Sequence, residues 1–375
     1  MKICYLYIAD NNNFKSGVDL KVKSKFDSLN NLFPGSILVQ FDGKIKSPTT
    51  DGSVYKIPVN YPNRNYFKQY FNQKKLFSLI ENFIGENRNT YNYFILRYPF
   101  ASLSLIKLMK KNENKIIFEH NTNEIFELKI IIQKNKQFIP FTFRPSVISY
   151  YISDVFFALM LEKKLGKKAI KLAAGGICVT PEIEIIEKLK YPSYKTIVIS
   201  NGLNSKMDKI ATNKRGSLKI KGVFIAGTYA VWHGIERIIN SFITTKIDRN
   251  IELYFVGKID KKLFENCSER IGVSFFFVDY LNQDDLNDFL NDMHFAIGTC
   301  AIHKTKLQEG AVLKVREYLS SGLPVIIGHK DPYIESIPEL KKYCLSFNAD
   351  DSLLNFELID DWIQVNHHNT SIFLA

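Results

Sequence analysis

Two glutamates, Glu309 and Glu317, stand eight positions apart in the stretch EGAVLKVREYLSSGLPVI at 309–326, with Lys314 and Arg316 between them. The stretch reads as a loop, a helix and a short buried strand. Gly322 stops the helix and Pro324 opens the strand, the usual way a helix exits. A helix beginning near Ala311 turns the free amides of residues 311–313 toward whatever precedes it, and such an end favours an anion. Glu317 lies further along and cannot reach the same atom. One stretch could therefore hold a phosphate at its tip, a hydroxyl-rich group beside Glu317 and another beside Glu309. An amphipathic helix with solvated charges accounts for the same letters.

Three other places hold residues suited to chemistry. The loop within ADNNNFKSGVDLKVKSKF at 9–26 carries Gly17 just ahead of a helix, where a glycine lets backbone approach a ligand. It is not G-x-G-x-x-G, so the dinucleotide fingerprint is absent. FEHNTNEIFELK at 118–129 places His120 directly after a strand, with Asn121 and Thr122 as caps of the next helix. His120 there could bond a sugar hydroxyl or move a proton, or it could be a structural histidine in a capping turn. AGTYAVWHGIERII at 226–239 puts Gly227 and Thr228 in a turn after a strand, with His233 just before a helix that starts near Gly234, the form of a phosphate-facing loop. Trp232 suits a packing role there as well as a ligand role. No D-x-D, which would bring two carboxylates onto one metal ion, occurs in the chain. Asp284-Asp285 and Asp350-Asp351 read as acids at helix starts, so no metal and no cofactor is expected.

The elements that must position these residues alternate along the whole chain. In the first half, strands fit Ile3–Ile8, 36–41, 93–98, 115–119, 177–180 and 196–199. Helices fit 18–31, 67–83, 102–111, 122–134, 149–172 and 182–189. A polar segment over 200–219 with Asn-Gly at 201–202 reads as a linker. A second series follows, with strands at 223–226, 251–256, Val273–Val278, 295–298, Val325–Ile327 and 343–347. Its helices fit 234–245, 261–270, 284–291, 312–321 and 332–337. This is the rhythm of parallel sheets covered by helices on both faces. The expectation is an α/β chain of two doubly wound, Rossmann-like domains, 1–205 and 206–375, around a cleft, with a last helix able to cross back to the first domain. Ligands of such sheets sit outside the carboxyl ends of the strands.

The chain has 375 residues, 46% hydrophobic and 23% charged, enough for two cores. Five cysteines, Cys4, Cys178, Cys267, Cys300 and Cys344, show no paired spacing. That argues for a reducing, cytoplasmic setting and against a zinc site. The start MKICYLYIAD is too short in apolar length for a secretory signal, and no apolar run reaches the ~18 residues a spanning helix needs. The formal net charge is +12. Residues 1–200 carry 30 Lys and Arg against 16 Asp and Glu, and residues 201–375 carry 20 against 22. The basic half suggests an anionic partner, such as a membrane surface, a phosphorylated acceptor or nucleic acid, or simply a solvated face. Within it, 138–171 combines aromatics with Lys163, Lys164, Lys167, Lys168 and Lys171, which fits an interfacial helix on an anionic leaflet as well as a core helix with a charged end.

The chain resembles family 4 glycosyltransferases of the GT-B fold. The resemblance rests on EHNT at 119–122, VTPEI at 179–183, ISNGL at 199–203, GTYAVWHG at 227–234 and, above all, the paired glutamates, lysine and trailing Gly-Leu-Pro of 309–326. It implies a second domain that binds a nucleotide-sugar donor. Glu317 would hold the ribose hydroxyls and Glu309 those of the sugar. The amides of Gly310, Ala311 and Val312 would hold the phosphates with Lys314 as cationic helper. His120 would touch the transferred sugar, and the Gly17 loop would lie near the diphosphate or the acceptor. One departure stands out: where the family often carries an Arg and a Lys-Gly, this chain reads His233-Gly234 with no arginine before it. Phosphate charge would then fall on Lys314, Arg316 and the helix amides.

The expected activity is thus metal-independent, retaining sugar transfer from a UDP- or GDP-sugar to a glycan or lipid-linked acceptor in surface polysaccharide synthesis, in the cytoplasm or peripherally on the inner membrane face. The competing readings are a catalytically silent partner of an active transferase and a nucleotide-sugar epimerase on the same fold. Nucleic-acid binding has charge in its favour but no recognised module.

Overall fold

Alternating apolar runs form the strands because both faces of each sheet are covered. The first run, β1 (Ile3–Ile8), is buried along nearly its whole length, as a central parallel strand must be. In the computed structural model the described residues are 1–9, 17–59, 66–137, 145–202, 219–228, 230–244, 250–259, 261–264 and 272–367. The chain forms two compact units, Met1–Ser200 and Asn201–Ala375. The expected boundary at 205/206 and most of the expected linker lie outside the described residues.

In the first unit β1 is followed by α1 (Gly17–Leu32), β2 (Ile37–Asp42), β3 (Thr49–Asp51), β4 (Val54–Pro58), α2 (Tyr66–Asn87), β5 (Tyr93–Arg97) and α3 (Leu103–Lys111). Then come β6 (Ile116–His120), α4 (Glu124–Gln137), α5 (Pro145–Leu172), β7 (Gly175–Cys178), α6 (Pro181–Lys190) and β8 (Thr196–Val198). The sheet order is β3-β4-β2-β1-β5-β6-β7-β8, parallel except for β3 against β4. The short β3–β4 hairpin escaped the sequence pattern because Thr49–Asp51 is exposed at every position, so no apolar alternation marks it. Phe94, Leu96, Phe118, Ile80 and Ile84 are fully buried in the core on one face. α5 joins that core through Ala169 and Ile170.

The second unit repeats the logic with β9 (Lys219–Thr228), α7 (Ile235–Thr244), β10 (Asn250–Lys258), β11 (Val273–Val278), α8 (Gln283–Asn291) and β12 (Phe295–Ile297). It continues with α9 (Leu313–Ser320), β13 (Val325–Ile327), α10 (Pro332–Glu335), α11 (Pro338–Lys341), β14 (Cys344–Ser346) and α12 (Phe356–His367). Its sheet order is β11-β10-β9-β12-β13-β14, with every recorded pairing parallel. Phe224, Phe242, Phe255 and Phe295 fill one face, together with Ile359 and Ile363 of α12. Each buried ring contributes up to about 3 kcal/mol of transfer free energy. The helix expected over 332–337 is two short turns, because Pro338 lacks the N–H a continuing helix would need.

In each sheet the first strand lies between neighbours reached by chain running in opposite directions: β1 between β2 and β5, β9 between β10 and β12. Such switch points open a crevice at the carboxyl ends of the strands. In the second unit the loops after β9 and β12 therefore meet. The Cys300 N–H donates to His233 O at 3.0 Å, and the Ala301 N–H donates to Trp232 O at 3.1 Å.

Candidate functional site

Helix α9 is fixed to the second unit by its buried side. Val315, Arg316, Tyr318 and Leu319 are buried. The Tyr318 hydroxyl accepts the Ile225 N–H of β9 at 3.0 Å. Arg316 lies against Asp331, with Nη2 to Oδ1 and Nη1 to Oδ2 each at 2.8 Å, and its Nε donates to Asn201 O at 2.9 Å. Asp331 in turn caps α10 through the Ile334 N–H at 3.2 Å. Asn201 also donates to Ala311 O at 2.6 Å. At 100° per residue these contacts leave Lys314 and Glu317 together on the less buried face.

The charges on that face are unusual. The Lys314 Nζ is buried with no hydrogen-bond partner, in a residue that is half-buried as a whole. It lies 5.0 Å from the centroid of the Phe224 ring at the end of the β9 core. Burial lowers its pKa to about 8, against the opposing pull of Glu317. Burial likewise raises the Glu317 carboxyl above its ordinary range, with Lys314 opposing. A buried ammonium with no anion in hydrogen-bonding reach is costly. It is the state expected of a group whose partner is a ligand.

The other expected residues of 309–316 differ in part from the expectation. The helix begins at Leu313, with Val312 as its cap in extended conformation, two residues later than the sequence suggested. The Gly310 N–H is already committed to Lys330 O at 2.9 Å, in an isolated bridge that also brings Glu309 beside Lys330. The Ala311 and Val312 amides make no hydrogen bond among the described residues. A Cβ on Gly310 would meet the end of Ile302 at 2.6 Å and the His329 ring at 2.9 Å, so any larger residue there would have to push both aside. His329 is itself fully buried, with Nδ1 3.0 Å from Thr299 O, and burial lowers its pKa to about 4. Glu309 is half-buried. Arg316, expected to share the phosphate charge, has its own charge met by Asp331. Nothing in the spacing of 309–326 reveals this, because Asp331 follows the next strand.

Gly227 and Thr228 close β9, and the Thr228 side chain lies outside the described residues. His233 ends a 3-10 turn, Val231–His233, and its Nδ1 accepts the Ala230 N–H at 3.2 Å. Gly234 follows at φ 73, where a Cβ would lie 2.8–2.9 Å from Ala301 and Cys300. Only glycine both adopts that conformation and lets the two loops touch. Asp350 and Asp351 are not helix-start acids. Asp350 bonds the Ser352 N–H at 3.0 Å and Arg237, while Asp351 pairs with His303 and Lys304 ahead of α12.

In the first unit Gly17 begins α1, and the loop before it lies outside the described residues. His120 ends β6 and is 0% exposed. Its Nδ1 lies 3.2 Å from Glu124 Oε1, and its Nε2 lies 3.2 Å from the Tyr194 hydroxyl. Its ring stacks on Tyr98 at 4.9 Å. The ring expected to meet a sugar is enclosed by protein on every side, with both nitrogens engaged. The α4 cap is Asn123, whose Oδ1 faces the Phe126 N–H at 3.4 Å, rather than Asn121 or Thr122.

No protein-family model matches this chain, and no curated protein gives a significant sequence match. Solved structures do. WaaG, a glycosyltransferase involved in lipopolysaccharide biosynthesis, aligns with 99% of this chain and 95% of its own, at TM-score 0.56 and 14% identity. A glycosyltransferase from Rickettsia africae aligns over 99% and 93%, at TM-score 0.55 and 14% identity. The lipopolysaccharide outer core galactosyltransferase WaaB aligns over 99% and 90%, at TM-score 0.55 and 11% identity. The chain has the GT-B fold. The expected fold class is thereby borne out over nearly the whole length, with two parallel-sheet α/β domains of the kind glycosyltransferases are built on.

Proposed function

We propose that this chain is a retaining glycosyltransferase of family 4 type. It moves a sugar from a UDP- or GDP-sugar to a glycan or lipid-linked acceptor in surface polysaccharide biosynthesis. The observation that carries the proposal is the unpaired, buried Lys314 ammonium beside Glu317, at the amide end of α9. The leaving group of sugar transfer is a nucleoside diphosphate, and its negative charge grows as the glycosidic bond breaks. Lys314 and the open Ala311 and Val312 amides are fixed in place before that charge appears, which is the arrangement that stabilises a transition state. The same groups do this work without a metal.

Glu317, held beside Lys314 on the same face, takes the ribose hydroxyls, and Glu309 takes hydroxyls of the transferred sugar. The loop over Gly227, Thr228, His233 and Gly234 lines the diphosphate from the end of β9. Same-face attack on an oxocarbenium-like centre retains configuration and needs no enzymic nucleophile. Names of the similar structures support the substrate class: two of them act in lipopolysaccharide synthesis. A mass-spectrometric screen of UDP-, GDP- and ADP-sugars for hydrolysis and transfer tests the reading. Glu309→Ala and Glu317→Ala should each depress turnover at least about 100-fold with the fold intact. Wild-type turnover in both variants would remove the site assignment.

A second reading, a silent GT-B partner of an active transferase, draws support from the commitment of Arg316 to Asp331 and from the missing cations at 227–234. Saturable binding of a nucleotide-sugar would exclude it. The acceptor side of the proposal includes an anionic membrane surface. Phe156, Phe157 and Met160 are exposed on α5, and Lys163, Lys164, Lys167, Lys168 and Lys171 continue on the same helical face. An apolar band followed by ammonium groups suits the headgroup boundary of an anionic leaflet. Among the described residues, no helix is long and apolar enough to cross a membrane.

A further inference from the structure

The enclosure of His120 leaves a chemical problem that hydrogen bonds alone do not resolve. The Tyr194 hydroxyl donates to Gly175 O at 2.9 Å. With its one proton placed there, its oxygen accepts from His120 Nε2–H at 3.2 Å. A neutral imidazole then carries its lone pair on Nδ1. That lone pair faces Glu124 Oε1 at 3.2 Å and Glu187 Oε2 at 3.7 Å. Glu187 is 0% exposed, and its Oε2 has no hydrogen-bond partner. With the imidazole neutral and both carboxyls ionised, three acceptor atoms, all within 4.8 Å of one another, converge with no donor among them. Two buried carboxylates are met by one ammonium, Lys190, which takes their outer oxygens: Glu124 Oε2 at 2.9 Å and Glu187 Oε1 at 2.5 Å.

We propose that a divalent metal ion, zinc by its donor set, occupies this position, held by His120 Nδ1, Glu124 Oε1 and Glu187 Oε2. Zinc bonds imidazole nitrogen and carboxylate oxygen at about 2.0–2.2 Å, so tetrahedral ligands stand roughly 3.3–3.6 Å apart. Two of the spacings here already match that to within a few tenths of an ångström. The outer shell is also what such a site needs. A ligating histidine gives its other N–H to an oxygen, here Tyr194, and ligating carboxylates are themselves hydrogen-bonded, here by Lys190. The three ligands come from the end of β6, the first turn of α4 and the last turns of α6. Three protein ligands leave the fourth tetrahedral position to a water, and the ion pins two helices to the sheet inside the first unit, apart from the transfer chemistry. This site does not depend on the proposed function: its ligands and its test are separate from the donor residues.

The test is to express the full chain in zinc-supplied and zinc-depleted medium, then measure bound metal and thermal unfolding of the purified protein. Zinc-supplied protein should carry one zinc per chain and melt several degrees higher than depleted protein. Glu187→Gln, which keeps the shape but removes the charged ligand, should lower zinc affinity about 100-fold or more. Cobalt-grown protein should show the visible absorption of a tetrahedral site. Where Glu187→Gln does not fold, the wild-type metal content and melting shift decide alone. Zinc below stoichiometric in the wild type, with equal melting of both preparations and nitrogen NMR showing His120 protonated on both ring nitrogens, would overturn the proposal. A proton would then be the cation of the cluster.

Discussion

Replacing Lys314 by methionine should make the second unit more stable while removing its hold on a nucleoside diphosphate. The ammonium is buried without a hydrogen-bond partner, and burial lowers its pKa from 10.5 to about 8. A drop of roughly 2.5 units corresponds to about 3 kcal/mol of cost for keeping the group charged at neutral pH. Methionine of similar length removes that cost. It forfeits the attraction of the ammonium for the Phe224 ring, about 0.5–1 kcal/mol. The expected net gain is about 2 kcal/mol at pH 7. The sign with pH follows from the folded pKa lying below the unfolded one. Between pH 8 and 10.5 the unfolded chain binds more protons, so wild-type stability rises with pH through that window. The advantage of Lys314→Met should therefore be full below pH 8 and fade toward pH 10.5. Denaturant unfolding of both proteins across that range, followed at the transition of the second unit, reads it directly. Titration with UDP and GDP at pH 7 should show binding lost in the variant. In wild type near about pH 8.5, binding should take up protons as the diphosphate restores the lysine charge. A variant less stable than wild type at pH 7, or a gain that does not change with pH, would refute the account of Lys314 as a cation waiting for its anion.

Other outcomes follow from the same geometry. Arg316→Ala strands Asp331, which is 1% exposed, and should cost about 3–5 kcal/mol in second-unit stability whether or not nucleotide is present. Lys314→Ala should weaken donor binding more than His233→Ala, and the reverse order in calorimetry would move the phosphate site to the loop after β9. Gly234→Ala forces a methyl group against Ala301 and Cys300 at φ 73, so a loss of about 3 kcal/mol is expected from thermal unfolding. Replacing Phe156 and Phe157 by serine should reduce pelleting with anionic vesicles but leave the neutral-vesicle baseline unchanged. Equal recovery in both supernatants for the wild type would dismiss the membrane contact.

The sequence by itself determined the architecture. Buried parallel strands are near-continuous apolar runs, so β1, β11 and β13 were legible to the residue, and the other central strands to within a few positions. It also marked 309–326 as a stretch where a helix end, a lysine and two glutamates could hold a phosphate and hydroxyl-rich groups, since that depends only on helical period. What it could not settle was the partner of each charge, because partners come from other elements. Arg316 and Lys314 sit two positions apart and look interchangeable as letters. Only the packing of α9 turns one toward Asp331 and leaves the other without a hydrogen bond. His120 likewise looked like a strand-end histidine open to substrate. The enclosing residues, Tyr98, Glu187, Lys190 and Tyr194, lie 22 or more positions away in sequence and meet it only once α6 and the β7–β8 edge are in place. Local periodicity writes the elements into the chain. The protonation and charge state of a buried group is set by which distant atoms surround it, and that is a property of the tertiary fold alone.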